Sequence, residues 1–212
     1  KQLSVNESYS ISAGSKLHEF LSTIPQRVEK SDFTHFYNII NFNYTKPWEN
    51  IGFEWPFFEN LIEKVNIHGS INRNYEGIIF GINDAGIVPS VKEYIFTKAS
   101  RTFDLYTNRT REKIKLDSLL TDSIKNIIFF GHSLSTADYG YFRMILEKYI
   151  AEEDVKFIFL YSVFEGTSEA KERRKIIANA SALFGSYSIE STSNTALFHK
   201  LIQNDRISIL KI

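Results

Sequence analysis

The 212-residue chain contains no cysteine. Disulfides, thiolate metal sites and cysteine nucleophiles are therefore excluded, and a reducing compartment is the expected setting. Its one methionine is Met144, so the sequence begins without an initiator and is expected to be the C-terminal portion of a longer protein. It also lacks net charge, with 25 basic and 25 acidic side chains. A global pull toward nucleic acid or an anionic membrane is then not expected. No apolar run approaches the ~20 residues that span a bilayer. The opening "KQLSVNESYS" lacks the apolar stretch of a signal peptide, so the expected location is cytoplasmic. Phosphate loops of the G-x-x-x-x-G-K-[ST] type, G-x-S-x-G elbows and His/Asp/Glu clusters with metal-ligand spacing are missing as well. No metal is expected.

A hydrophobic content of 43% is enough to build a core and argues against disorder. The length suits one domain spanning residues 1–212. "SKLHEFLSTIPQRVEK" (15–30) has helical apolar spacing that Pro25 should end. "HFYNIINFNYT" (35–45) reads as a strand closing in Asn and Thr, "KVNIHG" (64–69) as a short strand, and "GIIFGIND" (77–84) as another that stops at Gly81. Helix is expected across much of 88–124. "SIKNIIFFG" (123–131) and "VKFIFLYS" (155–162) are apolar without alternation, as in strands covered on both faces. The segment between them predicts a helix from about Thr136 to Glu152, with Phe142, Ile145, Leu146, Tyr149 and Ile150 on one stripe. Such a crossover implies that the two strands are parallel neighbours. A helix closed by Gly185, a short helix over "TALFHKLIQN" (195–204) and a last strand "ISILKI" (207–212) complete the pattern. Strands alternating with helices imply an α/β fold, Rossmann-like, with a mostly parallel sheet and helices on both faces. The 18 Phe and 11 Tyr fall mostly inside apolar runs, so core packing explains them better than base stacking. "KERRK" (171–175) carries Glu172 within it and reads as a solvated helix face.

In such folds ligands bind beyond the carboxyl ends of the strands. Four polar loops, at "FNYT", "IHGS", "FGIND" and "FGHSLS", are expected there, on one edge of one sheet. In "FFGHSLSTAD" (129–138) Gly131 permits a tight turn, and the amides from Ser133 to Asp138 form a helix N-terminus able to hold a phosphate or a ribose hydroxyl. The plainer alternative is an ordinary N-cap at Ser135 or Thr136, with Asp138 as a first-turn acid. In "NIHGS" (66–70) His68 can accept a proton near neutral pH, and Gly69 leaves space beside its ring. A structural histidine is the alternative. Placed near solvent, His68 would contribute about 1 kcal/mol or less to stability. In "NFNYT" (41–45) Asn43 can hold a ribose, an amide or a water, or merely close the strand with an Asx turn.

The ordered combination of "FNYT", "NIHGSI" with "IIFGIND", and "FGHSLSTADYGYF" resembles the bacteriophage abortive infection AbiH family over roughly residues 36–145. AbiH-like proteins are in turn similar to sirtuin-like NAD-binding domains. The resemblance implies a sirtuin-like core and a phage-defence protein that binds NAD or a related nucleotide as substrate or ligand, with a phage component as a further partner. It carries Asn43 to the position that orients the nicotinamide ribose or a water, and His68 to the catalytic histidine. Gly131, Ser133 and Leu134 fall at the ribose–phosphate turn, with His132 inside it, and Gly69 and Asp138 complete the cofactor-binding set. The four-cysteine zinc module of sirtuin deacylases has no counterpart here, which argues against deacylation. A family glycine-rich "GNGFD"-like loop is not found either, and an N-terminal strand and loop are expected to be missing from the chain. Hydrolysis of NAD at the nicotinamide–ribose bond is then the expected activity. A non-catalytic nucleotide- or partner-binding module is the alternative, and a homo-oligomer is compatible with either.

Overall fold

A computed structural model describes residues 36–43, 61–69, 81–82, 87–88, 90, 92–98, 100, 119–187 and 196–212. The expected helix at 15–30, the strand at 77–80 and most of 88–124 lie outside these residues. Chain contacts divide the protein into two units, Lys1–Phe80 with Asp104–Leu119, and Gly81–Phe103 with Leu120–Ile212.

In the first unit, β1 (Tyr37–Asn41) and β2 (Leu61–Asn66) pair in parallel. β2 starts three residues before the expected Lys64 and stops at Asn66, so Ile67 and His68, read as strand, lie in the turn beyond it. The register sets Asn41 beside Asn66 at the two C-terminal ends. The pairing continues one step through the Ile67 amide, which donates to the Asn41 carbonyl at 3.0 Å.

The second unit is built on β3 (Asn126–Phe129), β4 (Lys156–Tyr161) and β5 (Ile207–Lys211), all parallel, in the order β3-β4-β5. β4 is the central strand and its last five residues are all buried, which is why its sequence shows no polar alternation. Between β3 and β4 runs α1 (Tyr139–Tyr149), preceded by a 3-10 turn at Thr136–Asp138. The expected helix and crossover are present, shortened at both ends. α1 buries Phe142, Ile145, Leu146 and Tyr149 of the stripe, with Tyr139 and Tyr141 added, while Ile150 caps the helix and is only half-buried.

α2 (Glu169–Ser186) starts at Ser168, whose hydroxyl accepts from the Lys171 amide, and carries Glu169 and Glu172 in its first turn. It buries only Ala180, Leu183 and Phe184, so its packing is concentrated in the C-terminal half and "KERRK" stays on an exposed stretch. Gly185 does not end this helix. It lies within the last turn, and Tyr187 caps the end in right-handed helical geometry, so no left-handed glycine is needed. α3 (Ala196–Gln203) is followed by a turn with Asp205 at φ 55° and then by β5. In the described part of 88–124 the backbone forms a 3-10 helix at Lys92–Phe96, is α-helical at Lys98, Ser100 and Leu119 as expected, and turns after Leu120.

The aromatic residues form the core of this unit. Phe129 stacks on Phe159 at 4.5 Å between ring centres, Phe142 meets Phe129 edge-on, and Phe184 contacts Phe157, Phe159 and Phe198. Each such pair contributes about 0.5–1.5 kcal/mol beyond area burial. Among the described residues no helix is long and apolar enough to cross a membrane.

Candidate functional site

The strand ends of the first unit carry a compact polar cluster. The Asn41 side chain donates from Nδ2 to Asn66 Oδ1 at 2.7 Å and to the Asn43 carbonyl at 3.3 Å. Its Oδ1 accepts from the Asn43 amide at 3.1 Å. An oxygen two residues back that accepts a backbone amide is an Asx turn. The turn expected at this strand end is therefore present, but Asn41 makes it. Asn41 is buried and Asn43 is exposed.

His68 follows in the turn after β2. Its Nδ1 lies 3.1 Å from the Phe42 carbonyl. A carbonyl oxygen only accepts, so Nδ1 carries the proton and the basic lone pair of the neutral ring is on Nε2. The ring stands edge-on to Phe42 at 5.6 Å. Gly69, at φ 75°, closes the turn with its amide on the Asn66 carbonyl. His68 is only 3% exposed. The expectation of a rim histidine worth about 1 kcal/mol or less is thus corrected. Its hydrogen bond and edge-on contact give the ring a packing role that a surface position would not have.

In the second unit the loop after β3 starts at Gly131, at φ 62°, where no atom lies within 4 Å of an added Cβ. Backbone conformation alone requires glycine there. His132 then spends both ring nitrogens inside the protein. Its Nδ1 accepts from the Leu134 amide at 2.8 Å, which leaves the proton on Nε2, 3.2 Å from Asp138 Oδ2. Leu134 is buried in left-handed geometry at φ 53°, a conformation that a bulky residue keeps only where its surroundings impose it. Asn179 of α2 donates to the Ser133 carbonyl at 3.0 Å.

Asp138 is buried and its other oxygen is held by Lys98 Nζ. The Lys98 side chain is itself only 14% exposed. Its segment is fixed by Thr97, which pairs in parallel with Ile82, and by Gly81, where an added Cβ would come within 2.6 Å of the Lys98 amide nitrogen. Ser135 caps the 3-10 turn through its hydroxyl on the Ala137 amide, and the Asp138 amide donates to the Ser135 carbonyl. The ordinary-cap alternative is thus built as described, and three of the loop amides (134, 137 and 138) are engaged within the loop. Burial raises the Tyr139 hydroxyl above its usual value.

The described strands thus form two sheets rather than one. Asn43, His68 and Gly69 follow the strands of the first, and Gly131, His132, Ser133, Leu134 and Asp138 follow β3 of the second. Sequence reasoning missed Asn41, Asn66, Lys98 and Asn179. The β1 and β2 polar ends could have pointed to the first two. Lys98 and Asn179 lie 40 and 46 residues from the groups they hold, and no local pattern marks them. Among the described residues no group of three His, Asp or Glu side chains is placed to hold a metal ion.

Parallel strands, helical crossover and polar loops at the strands' carboxyl ends define an α/β protein with its candidate chemistry in those loops. The chain belongs to the bacteriophage abortive infection AbiH family: the family's model matches residues 2–161, a span that includes all three motifs. Membership places the chain among proteins of abortive infection, a defence against phage. No curated protein and no solved structure gives a significant match.

Proposed function

We propose that this AbiH chain acts in phage defence on a nucleotide, binding NAD or a related dinucleotide on a sirtuin-like core and hydrolysing it at the nicotinamide–ribose bond. The observation that carries the reading is the His68 tautomer. The Phe42 carbonyl holds the proton on Nδ1, which leaves Nε2 as the basic nitrogen of the ring. The carbon–nitrogen bond breaks with its electron pair going to nicotinamide. Water attacks the oxocarbenium-like ribose carbon, and its proton passes to His68. Asn43, exposed at the end of the neighbouring strand, orients that water. The donor set of amides and a neutral imidazole suits ribose hydroxyls and a carboxamide.

The test is NAD content in cells that express the full-length protein during phage infection. His68→Ala removes a buried ring and strands the Phe42 carbonyl, at a stability cost of about 2–4 kcal/mol. His68→Gln is therefore the better probe, because its amide can still donate to that carbonyl. NAD loss and protection should fall by about 10²–10⁴-fold in a folded His68→Gln protein. Full activity with an unchanged melting curve would exclude His68 as the base. A second reading, a nucleotide- or partner-binding module without a reaction, is favoured by the burial of His68 and by the engaged amides of the 131–138 loop. It requires protection to persist while NAD stays constant.

A further inference from the structure

We infer that Asn41 is the positioning residue that sets the His68 tautomer, acting through the backbone of Phe42. The inference rests on the reading that His68 is the base. It concerns a residue two positions from the motif asparagine, and it follows from a continuous chain of bonds within one unit. Asn66 Oδ1 accepts from Asn41 Nδ2 at 2.7 Å, which fixes the amide plane. With its Nδ2 so used, Oδ1 faces the Asn43 amide and accepts from it at 3.1 Å. That bond closes the turn on either side of Phe42, and the turn directs the Phe42 carbonyl. The carbonyl accepts from His68 Nδ1 at 3.1 Å.

Each link limits the next. The amide of Asn41 cannot flip without facing Asn66 Oδ1 with an oxygen and the Asn43 amide with an NH₂ group. The parallel register puts Asn41 opposite Asn66, so the pair is a product of strand alignment. Asn41 is buried at 8% exposure, where a polar side chain must be hydrogen-bonded to be tolerated. Asn43, by contrast, contributes its backbone to this chain and leaves its exposed side chain for the ligand side. The two asparagines thus divide the work: Asn41 orients the histidine and Asn43 meets the water or ribose.

The experiment uses full-length protein labelled with ¹⁵N-histidine, with the His68 signals assigned by their loss in His68→Gln. Proton–nitrogen correlation spectra report which ring nitrogen carries the hydrogen, whether or not any reaction occurs. Wild-type His68 should be protonated on Nδ1. Asn41→Ala should convert it to a mixture of tautomers and lower NAD hydrolysis by about 10–100-fold. Asn41→Ser should restore the wild-type tautomer, since a serine hydroxyl can accept from the amide two residues on. A merely structural role would lower the melting temperature without moving the tautomer. An Nδ1-protonated ring in folded Asn41→Ala would overturn the inference. Should Asn41→Ala fail to fold, Asn66→Ala decides, because it removes only the first link: a shifted tautomer supports the chain and an unshifted one breaks it. If the tautomer shifts while wild-type protein leaves NAD intact, the positioning holds and the hydrolysis reading fails.

Discussion

Arg206 ties the crossover helix of the second unit to its sheet through three hydrogen bonds. The residue lies just before β5 and is 6% exposed. Its Nε donates to the Val155 carbonyl at 2.9 Å, Nη1 to Ile150 at 2.8 Å and Nη2 to Tyr149 at 2.9 Å. Two of these carbonyls terminate α1 and the third precedes β4, so one guanidinium ties the crossover helix to the sheet. It also sits at the negative end of the α1 dipole, and it lies over the Phe157 ring, 5.8 Å from its centre. Hydrogen bonds from a charged donor contribute about 1.5–3 kcal/mol each. Three would sum to about 4.5–9 kcal/mol if none were replaced. Because exposed residues 151–154 follow α1, water can reach part of the site once the head group is gone. We therefore expect Arg206→Met, which keeps the stem against Phe157, to cost about 3–5 kcal/mol. That is a large share of the 5–15 kcal/mol typical of a domain. Urea denaturation followed by circular dichroism should show the midpoint falling by about 1.5–2.5 M at a slope of about 2 kcal/mol/M. Arg206→Lys keeps the charge but not the fork, and should fall between wild type and Arg206→Met. A loss below about 1 kcal/mol in Arg206→Met would refute the reasoning, because the three carbonyls would then be satisfied without it.

Two further outcomes follow from the second unit. Asp138→Asn leaves Lys98 as a nearly buried cation and should cost about 3–5 kcal/mol. Combining it with Lys98→Met should cost less than the sum of the single changes by at least about 1 kcal/mol, measured as a double-mutant cycle in urea, and strict additivity would show that the pair is not coupled. The Tyr149 hydroxyl, which donates to the Thr121 carbonyl at 2.7 Å, is pushed from the ordinary value of 10.0 to about 12 by burial and by Asp122. Unfolded tyrosine loses its proton first, so between pH 10 and about 12 the unfolded state binds fewer protons and stability falls as pH rises. Tyr149→Phe should cost about 1 kcal/mol at neutral pH and make that alkaline decline shallower. It should not abolish the decline, since burial also raises Tyr37, Tyr139 and Tyr187. An unchanged alkaline slope would show that Tyr149 does not drive it.

What the sequence determined by itself was whatever follows from short-range periodicity and apolar density. The two buried strands and the helix between them are legible in "NIIFFG", "KFIFLY" and the Phe142–Tyr149 stripe, because a strand covered on both faces and an amphipathic helix must each write their pattern into consecutive residues. The motif order was legible too, and the family match over residues 2–161 extends well past the roughly 36–145 that the motifs alone suggested. Tertiary structure decided what depends on partners far apart in the chain. Strand register, not the motif, chose Asn41 over Asn43 for the Asx turn, because only Asn41 faces Asn66. The hydrogen bond and edge-on contact of His68 come from Phe42, 26 residues earlier. Gly185 reads as a stop signal, yet the buried contacts of Leu183 and Phe184 keep α2 winding past it, since packing outweighs a weak local preference. Lys98 and Arg206 carry no local signal at all. Each is an ordinary surface-type residue in sequence, and each becomes structural only because the fold brings it to a carboxylate or to three carbonyls that would otherwise be left without a charged partner.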